Sequence, residues 1–169
     1  ARGLARDAGG PAAHVPPGPF RTKLTPEAEA ECAAVLERHG AEIVALAGFM
    51  RILHETFLRR FEGRVVNIHP SLLPAFPGLR AQEQALAYGV RWAGATVHFV
   101  NAGVDAGPVI LQAVVPVLPD DTEETLSARI LEEEHRIYPE ALQLIAEGRA
   151  VVEGRRVRVL PRGGGGGRP

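Results

Sequence analysis

Residues 42–68 read EIVALAGFMRILHETFLRRFEGRVVNI, and this stretch decides the fold class. Glu42–Ala47 and Arg64–Ile68 are short and apolar, as buried strands are, whereas Ile52–Phe61 between them has the pattern of a short helix. A strand, a helix and a second strand in this order form the unit from which parallel sheets are built. We therefore predict an α/β protein with a mainly parallel sheet flanked by helices.

The same alternation continues on both sides of this stretch. Residues 1–8 are predicted to be the end of a helix, and further helices are predicted over Thr25–His39, Ala81–Tyr88 and Thr122–Glu147. Further strands are predicted over Ala12–Val15, Ala93–Val100 and Val109–Val117, with a C-terminal hairpin of Val151–Glu153 and Arg156–Leu160. Pro139 should kink or break the last helix. We expect one domain over residues 1–160 and a flexible, glycine-rich tail over 161–169.

Composition excludes several classes of partner. The 169 residues carry a net charge of −1, so no basic field attracts nucleic acid. No apolar run approaches the roughly 20 residues that cross a bilayer, and we expect no membrane contact. Cys32 is the only cysteine, so the chain cannot form an internal disulfide, which fits a cytoplasmic location.

Polar side chains stand where the predicted strands end, which is where open α/β sheets bind ligands. Asn67 and His69 point to the same side of their strand, because side chains alternate along it. An amide and an imidazole in one cleft can bind a developing oxyanion, and the imidazole can also transfer a proton. A histidine that merely bonds a neighbouring loop is the alternative, but the proline-rich loop after this pair favours a functional site.

Asp105 lies between Gly103 and Gly107, where an aspartate is by itself an ordinary turn residue. Beside the imidazole of His69, its carboxylate would stabilise the protonated ring and position a water. The three side chains together predict an acid/base site without a metal. For His98, on the strand before this loop, lining of the cleft and simple packing both remain open. The sequence contains neither a Cys/His cluster nor a glycine-rich phosphate loop.

Five segments resemble those of one enzyme family, the glycinamide ribonucleotide formyltransferases. They are AGFMRIL (47–53), NIHPSLLPAFPG (67–78), GATVHFV (94–100), VDAGPVI (104–110) and EHRIYP (134–139). The resemblance extends over about residues 1–160 and implies the Rossmann-like formyltransferase fold. It further implies transfer of the formyl group of 10-formyltetrahydrofolate to the amino group of glycinamide ribonucleotide (5-phosphoribosylglycinamide), in de novo purine biosynthesis.

The resemblance also implies a role for each catalytic residue. Asn67 and His69 would stabilise the oxyanion of the tetrahedral intermediate, and His69 would donate the proton. Asp105 would keep His69 protonated and help to move the proton that the amine releases.

Binding residues follow from the same resemblance. Those implied for the folate are Met50, Arg51, Ile52, Leu53 and Asn67, with Lys23 near the folate tail, although a gap-free alignment places Thr25 there instead. Those implied for the nucleotide are Gly48, Pro70 and Glu134, the last on the ribose hydroxyls. The resemblance implies no metal and is compatible with a homodimer.

Two departures from the family pattern change the expectations. Ala102 replaces a residue that is usually acidic. The family's first strand, Gly-Ser-Asn-type phosphate loop, first helix and second strand do not precede Ala1. We expect that the natural chain is longer, that the sheet has a gap where the first strand belongs, and that the 169 residues alone show little transferase activity.

Two other functions remain as alternatives. A formyltetrahydrofolate hydrolase would use the same three side chains to deliver the formyl group to water, but the sequence Pro70–Pro74 favours the transferase. An inactive folate-binding relative is the other alternative, and the complete set of three catalytic residues argues against it.

Overall fold

A computed structural model describes Asp7 and residues 9–162, which form one six-stranded sheet with helices packed against it. The strands are β1 (Val44–Leu46), β2 (Val65–His69), β3 (Trp92–Phe99), β4 (Val109–Pro116), β5 (Ala150–Glu153) and β6 (Arg156–Val159). The helices are α1 (Pro26–Arg38), α2 (Glu55–Arg60), α3 (Ala81–Tyr88) and α4 (Glu123–Ala146). The predicted end of a helix within residues 1–8 and the glycine tail lie outside the described residues, apart from Asp7 and residues 161–162.

The predicted α/β class and C-terminal hairpin are confirmed, but the sheet is mixed. Its order is β1-β2-β3-β4-β6-β5. β1 and β2 are parallel, as are β4 and β6, whereas the other three neighbouring pairs are antiparallel. The gap that the sequence led us to expect does not occur among these strands, since β1 pairs directly with β2 at one edge. An additional strand would have to add outside β1 or β5.

Residues 9–22 are irregular and contain no strand. Ala12–Val15 has no strand partner, which corrects the prediction, and the prolines at 11, 16 and 17 around it cannot donate ladder hydrogen bonds. Helix α1 follows this segment, with the Thr25 hydroxyl accepting from the Ala28 N–H at 3.2 Å and Pro26 in the first turn.

Two apolar clusters hold the elements together. The larger one lies between the sheet and α4, and its members exposed by 2% or less are Val66, Ala95, Val97, Leu126, Ile130, Ile137 and Ala141. The smaller one joins α1 and α2 to the start of β2 and includes Leu24, Phe57, Phe61 and Val65. In the described part of the chain, no helix is both long and apolar enough to cross a membrane.

Helix α4 runs without a break through Pro139, so the predicted break is wrong. Proline removes one backbone hydrogen bond, but tertiary contacts hold the helix on both sides of it. Ile137 and Ala141 are buried against the sheet. The Tyr138 hydroxyl also lies 2.7 Å from the carbonyl oxygen of Leu46 and 3.1 Å from that of Val66.

Because one hydroxyl serves two carbonyls on neighbouring strands, we expect Tyr138→Phe to lower the free energy of unfolding by about 1–2 kcal/mol. Urea unfolding followed by circular dichroism measures the change. Tyr88→Phe is the matched control, since Tyr88 is 78% exposed, and should change stability by less than about 0.5 kcal/mol. Equal effects of the two substitutions would contradict the bridging role.

Candidate active site

A cleft of about 470 Å³ opens where β1 and β2 end and where the loop after β3 folds over them. Three segments form its walls: the residues that follow β1, the end of β2 with residues 78–82, and residues 100–105. These correspond to the strand ends at which the sequence predicted a ligand site. The cleft brings together Asn67, His69 and Asp105.

Pairing of β2 with β3 places the first polar groups. Asn67 lies directly opposite His98, and the Asn67 amide nitrogen is 3.4 Å from His98 Nε2. His98 Nδ1 is 2.8 Å from the Phe99 carbonyl oxygen, so this nitrogen donates. The other ring nitrogen, Nε2, faces both the Asn67 amide nitrogen and the Asp105 carboxylate. His98 thus lines the cleft, which resolves the two interpretations that the sequence left open.

Asp105 reaches His69 because the loop backbone takes an unusual conformation. Its φ angle is +48°, in the left-handed region that aspartate tolerates better than most residues. One carboxylate oxygen accepts from the Gly78 N–H at 2.8 Å and lies 3.4 Å from His69 Nδ1, while the other oxygen lies 3.7 Å from His98 Nε2. The carboxylate thus faces both imidazoles.

These neighbours keep the carboxylate ionised. The contact with His98 is the largest cause that lowers the pKa of Asp105, burial opposes it, and the Gly78 N–H and the charge of His69 lower the pKa further.

We expect Asp105→Asn to lower the free energy of unfolding at pH 7, by on the order of 1 kcal/mol. A carboxylate whose pKa is lowered by folding stabilises the protein above its unfolded pKa of about 3.9, and this contribution is lost as the pH falls through the lower folded value. The difference between the two proteins should therefore shrink below about pH 4. Urea unfolding at pH 7 and pH 3 tests this, with the exposed Asp120→Asn as control. A difference that is the same at both pH values would count against the prediction.

The ring of His69 also bonds to the loop that follows β2. Its Nε2 lies 2.9 Å from the Phe76 carbonyl oxygen, while its side chain is only 7% exposed. The two nitrogens of His69 therefore face one oxygen of Asp105 and one of Phe76. A doubly protonated ring satisfies both contacts at once.

The structure brings most of the proposed binding residues to the same cleft. Those that line it are Gly48, Met50, Arg51, Ile52, Leu53, Asn67 and Pro70. Lys23 does not line it, since its ammonium lies 4.6 Å from the centre of the Phe20 ring, although Lys23 pairs with Ile52 through an isolated bridge. Glu134 lies on α4 outside the cleft lining, and burial raises the pKa of its carboxyl group.

Apolar side chains surround the polar centre, and sequence reasoning missed half of them. Met50, Leu79, Val104 and Ile52 line the cleft although 48–72% of their surface is exposed. Exposed apolar groups that gather at one cleft indicate a ligand with flat or apolar parts. Leu79 directly follows the segment 67–78 and Val104 directly precedes Asp105, and only this adjacency in sequence could have signalled their place in the cleft. Among the described residues, no three His, Cys, Asp or Glu side chains gather as metal ligands do.

Comparison with known proteins identifies formyl transferases as relatives of this chain. Residues 1–142 match the model of the formyl transferase family. The chain is 48% identical over 114 residues to the phosphoribosylglycinamide formyltransferase of Escherichia coli (strain K12), which covers 68% of this chain and 54% of that protein. It is 56% identical over 114 residues to the trifunctional purine biosynthetic protein adenosine-3 of Homo sapiens, again over 68% of this chain but 11% of that protein. The chain thus spans about half of the bacterial relative and about a tenth of the trifunctional one.

Two solved structures share the fold. Glycinamide ribonucleotide transformylase 1 from Symbiobacterium toebii superposes with a TM-score of 0.88 at 57% identity, over 93% of this chain and 73% of that one. A formyltetrahydrofolate deformylase from Pseudomonas syringae pv. tomato also gives a TM-score of 0.88, at 33% identity, over 95% of this chain and 53% of that one. From the family match, these similarities and the Rossmann-like mixed sheet, we conclude that the chain belongs to the formyl transferase family.

Proposed function

We propose that this chain transfers the formyl group of 10-formyltetrahydrofolate to the amino group of glycinamide ribonucleotide, as a cytoplasmic enzyme of de novo purine biosynthesis. The observation that carries the proposal is the meeting of Asn67, His69 and Asp105 in one cleft, with His69 between a carboxylate and a carbonyl. The identity to formyltransferases that bear the name of this reaction supports the choice of substrate.

The reaction is a direct acyl transfer. The amine nitrogen attacks the formyl carbon, and the carbonyl electrons move to oxygen, which the Asn67 amide and the His69 imidazolium stabilise. The proton lost by the amine passes through water to the Asp105 carboxylate. His69 donates a proton as the bond between the formyl carbon and N10 of the folate breaks, which releases tetrahydrofolate and the formylated amine.

The proposed binding residues are divided between the two substrates. We assign the segment Met50–Leu53, and Asn67, to the folate, whose ring system is flat and polar only at its edges. Lys23 would lie near the acidic folate tail. Gly48, Pro70 and Glu134 are assigned to the nucleotide. Both substrates are small molecules, and assembly as a homodimer is a further part of the proposal that light scattering in solution can test.

Hydrolysis of the formyl folate is the second candidate, and the similarity to the deformylase structure favours it. The same oxyanion and acid/base groups would serve attack by water. The identity to that structure is 33%, against 57% for the transformylase, and Pro70–Pro74 resembles the transferase segment. We therefore place transfer first.

One assay separates the two reactions. The 169-residue chain is incubated in excess over 10-formyltetrahydrofolate, with and without glycinamide ribonucleotide, and both tetrahydrofolate and formylated nucleotide are quantified by mass spectrometry. Excess enzyme makes a slow reaction measurable. Formation of tetrahydrofolate only with the nucleotide, matched by formylated product, supports transfer. Equal release of tetrahydrofolate with and without nucleotide, with formate as the product, would establish hydrolysis instead.

A further inference from the structure

The segment Met50–Leu53, called here the folate wall, is held in place by contacts with other segments of the chain. It contains neither a helix nor a strand, and its one ladder contact with the described residues is the bridge between Ile52 and Lys23, in which the Ile52 N–H donates to the Thr22 carbonyl at 2.9 Å. Its shape therefore depends on two sets of contacts. One comes from the irregular segment that precedes α1, and the other comes from α1 itself.

Arg51 lines the cleft, and its side chain also provides the first of these contacts. Its guanidinium nitrogen Nη1 lies 2.8 Å from the Phe20 carbonyl oxygen, 3.3 Å from that of Lys23 and 3.5 Å from that of Pro17. One cation thus gathers three carbonyls of an irregular segment. The Arg51 side chain thus binds the irregular segment before α1, while the residue itself remains part of the cleft lining.

Glu29 provides the second contact at the other end of the folate wall. It is 3% exposed, and its Oε1 accepts from the His54 N–H at 2.7 Å and lies 3.0 Å from His54 Nδ1. The mechanism does not use this buried carboxylate. A buried charge is costly unless hydrogen bonds satisfy it, so its two bonds to the residue after Leu53 fix the end of the folate wall to α1.

We propose that Arg51 and Glu29 are positioning residues that hold the folate wall in the shape that binds the folate. The proposal rests on the proposed function for its ligand, but the two contacts themselves do not. Loosening either end lets Met50 and Ile52 move away from the catalytic residues, so the cleft loses affinity for the folate before the acid/base groups change.

Substitutions at both ends test the proposal. Arg51→Met and Glu29→Leu remove the contacts, whereas Arg51→Lys keeps the charge and Glu29→Gln keeps an acceptor for the His54 N–H. The probe is tetrahydrofolate, the proposed product, titrated by calorimetry. We expect Arg51→Met and Glu29→Leu to weaken binding by about tenfold and the two conservative variants by less than about threefold. Arg59→Met and Glu27→Leu are the controls, because both side chains are exposed, and they should leave binding unchanged.

Amide hydrogen exchange gives a readout that needs no ligand. In Arg51→Met and Glu29→Leu, exchange at residues 50–54 should accelerate, while the core amides of β3 stay protected as in the unsubstituted chain. Acceleration everywhere, or normal exchange at 50–54 with normal tetrahydrofolate binding, would overturn the proposal. If Glu29→Leu does not fold, the partly exposed Arg51→Met decides the outcome. Failure of the unsubstituted chain to bind tetrahydrofolate would count against the proposed function, and the exchange rates would still decide whether the two contacts hold the wall.

Discussion

His69→Ala is expected to lower the rate of formyl transfer by about two to four orders of magnitude. The substitution removes both a donor to the developing oxyanion and the proton donor to the leaving nitrogen. Asp105 and Asn67 remain, but neither can replace the imidazole, whose Nδ1 lies 3.4 Å from the Asp105 carboxylate. Single-turnover assays with enzyme in excess measure the ratio of rates even if the unsubstituted 169-residue chain is slow.

The control for this substitution is His14→Ala, at an exposed position in the irregular N-terminal segment. It should leave the rate unchanged. Tetrahydrofolate binding should also survive in His69→Ala, because the folate wall does not depend on the ring. A rate within about threefold of the unsubstituted chain would remove His69 from the mechanism.

Gly107→Ala should have the largest effect of a substitution away from the reacting groups. A Cβ atom at this position would lie 1.7 Å from the Phe99 carbonyl oxygen, which is fixed in β3. The loop that carries Asp105 must then move away from the strand. We expect a loss of about 3 kcal/mol or more in the free energy of unfolding, and a loss of most formyl transfer.

Gly148→Ala separates this close approach from the general strain of replacing a glycine. Gly148 has a φ angle of +66°, but a Cβ atom there would meet no other part of the described chain within 4 Å. Its substitution should cost only about 1 kcal/mol and leave formyl transfer unchanged. Equal losses of stability and activity in the two variants would show that contact with Phe99 is not the reason for the glycine.

Local patterns in the sequence predicted the elements well but not their mutual directions. The helix Ala81–Tyr88 has the predicted bounds, and the cap formed by Thr25 is where the residue types place it. Helix α2 begins at Glu55 and not at Ile52, because Ile52 pairs with Lys23 and the Glu29 carboxylate binds the His54 N–H. Such contacts join residues far apart in sequence, so periodicity does not reveal them. The mixed sheet has the same origin, since strand direction depends on how the connections fold back.

The candidate site was predictable to the same degree. Because side chains alternate along a strand, the sequence alone predicts that Asn67 and His69 point to the same side of β2. The approach of Asp105 to His69 depends on a left-handed residue and on Gly107 packing against Phe99. The position of His98 opposite Asn67 depends on strand register, and the outward course of the Arg51 side chain depends on carbonyls more than 25 residues away. The roles of the binding residues followed from the order of the family motifs, because residue spacing alone does not indicate them.

The bond between His69 Nε2 and the Phe76 carbonyl has a consequence for selectivity. In the absence of substrate, each ring nitrogen of His69 already faces an oxygen atom of the protein. A substrate oxygen must therefore displace a neutral amide carbonyl, and an oxygen that gains negative charge does so more favourably than a water molecule. Under the proposed function, His69 as proton donor is thus engaged by the Phe76 carbonyl before a substrate binds, and we expect this contact to disfavour hydrolysis of the formyl folate. Slow hydrolysis of 10-formyltetrahydrofolate in the absence of the nucleotide is the measurable sign of this selectivity.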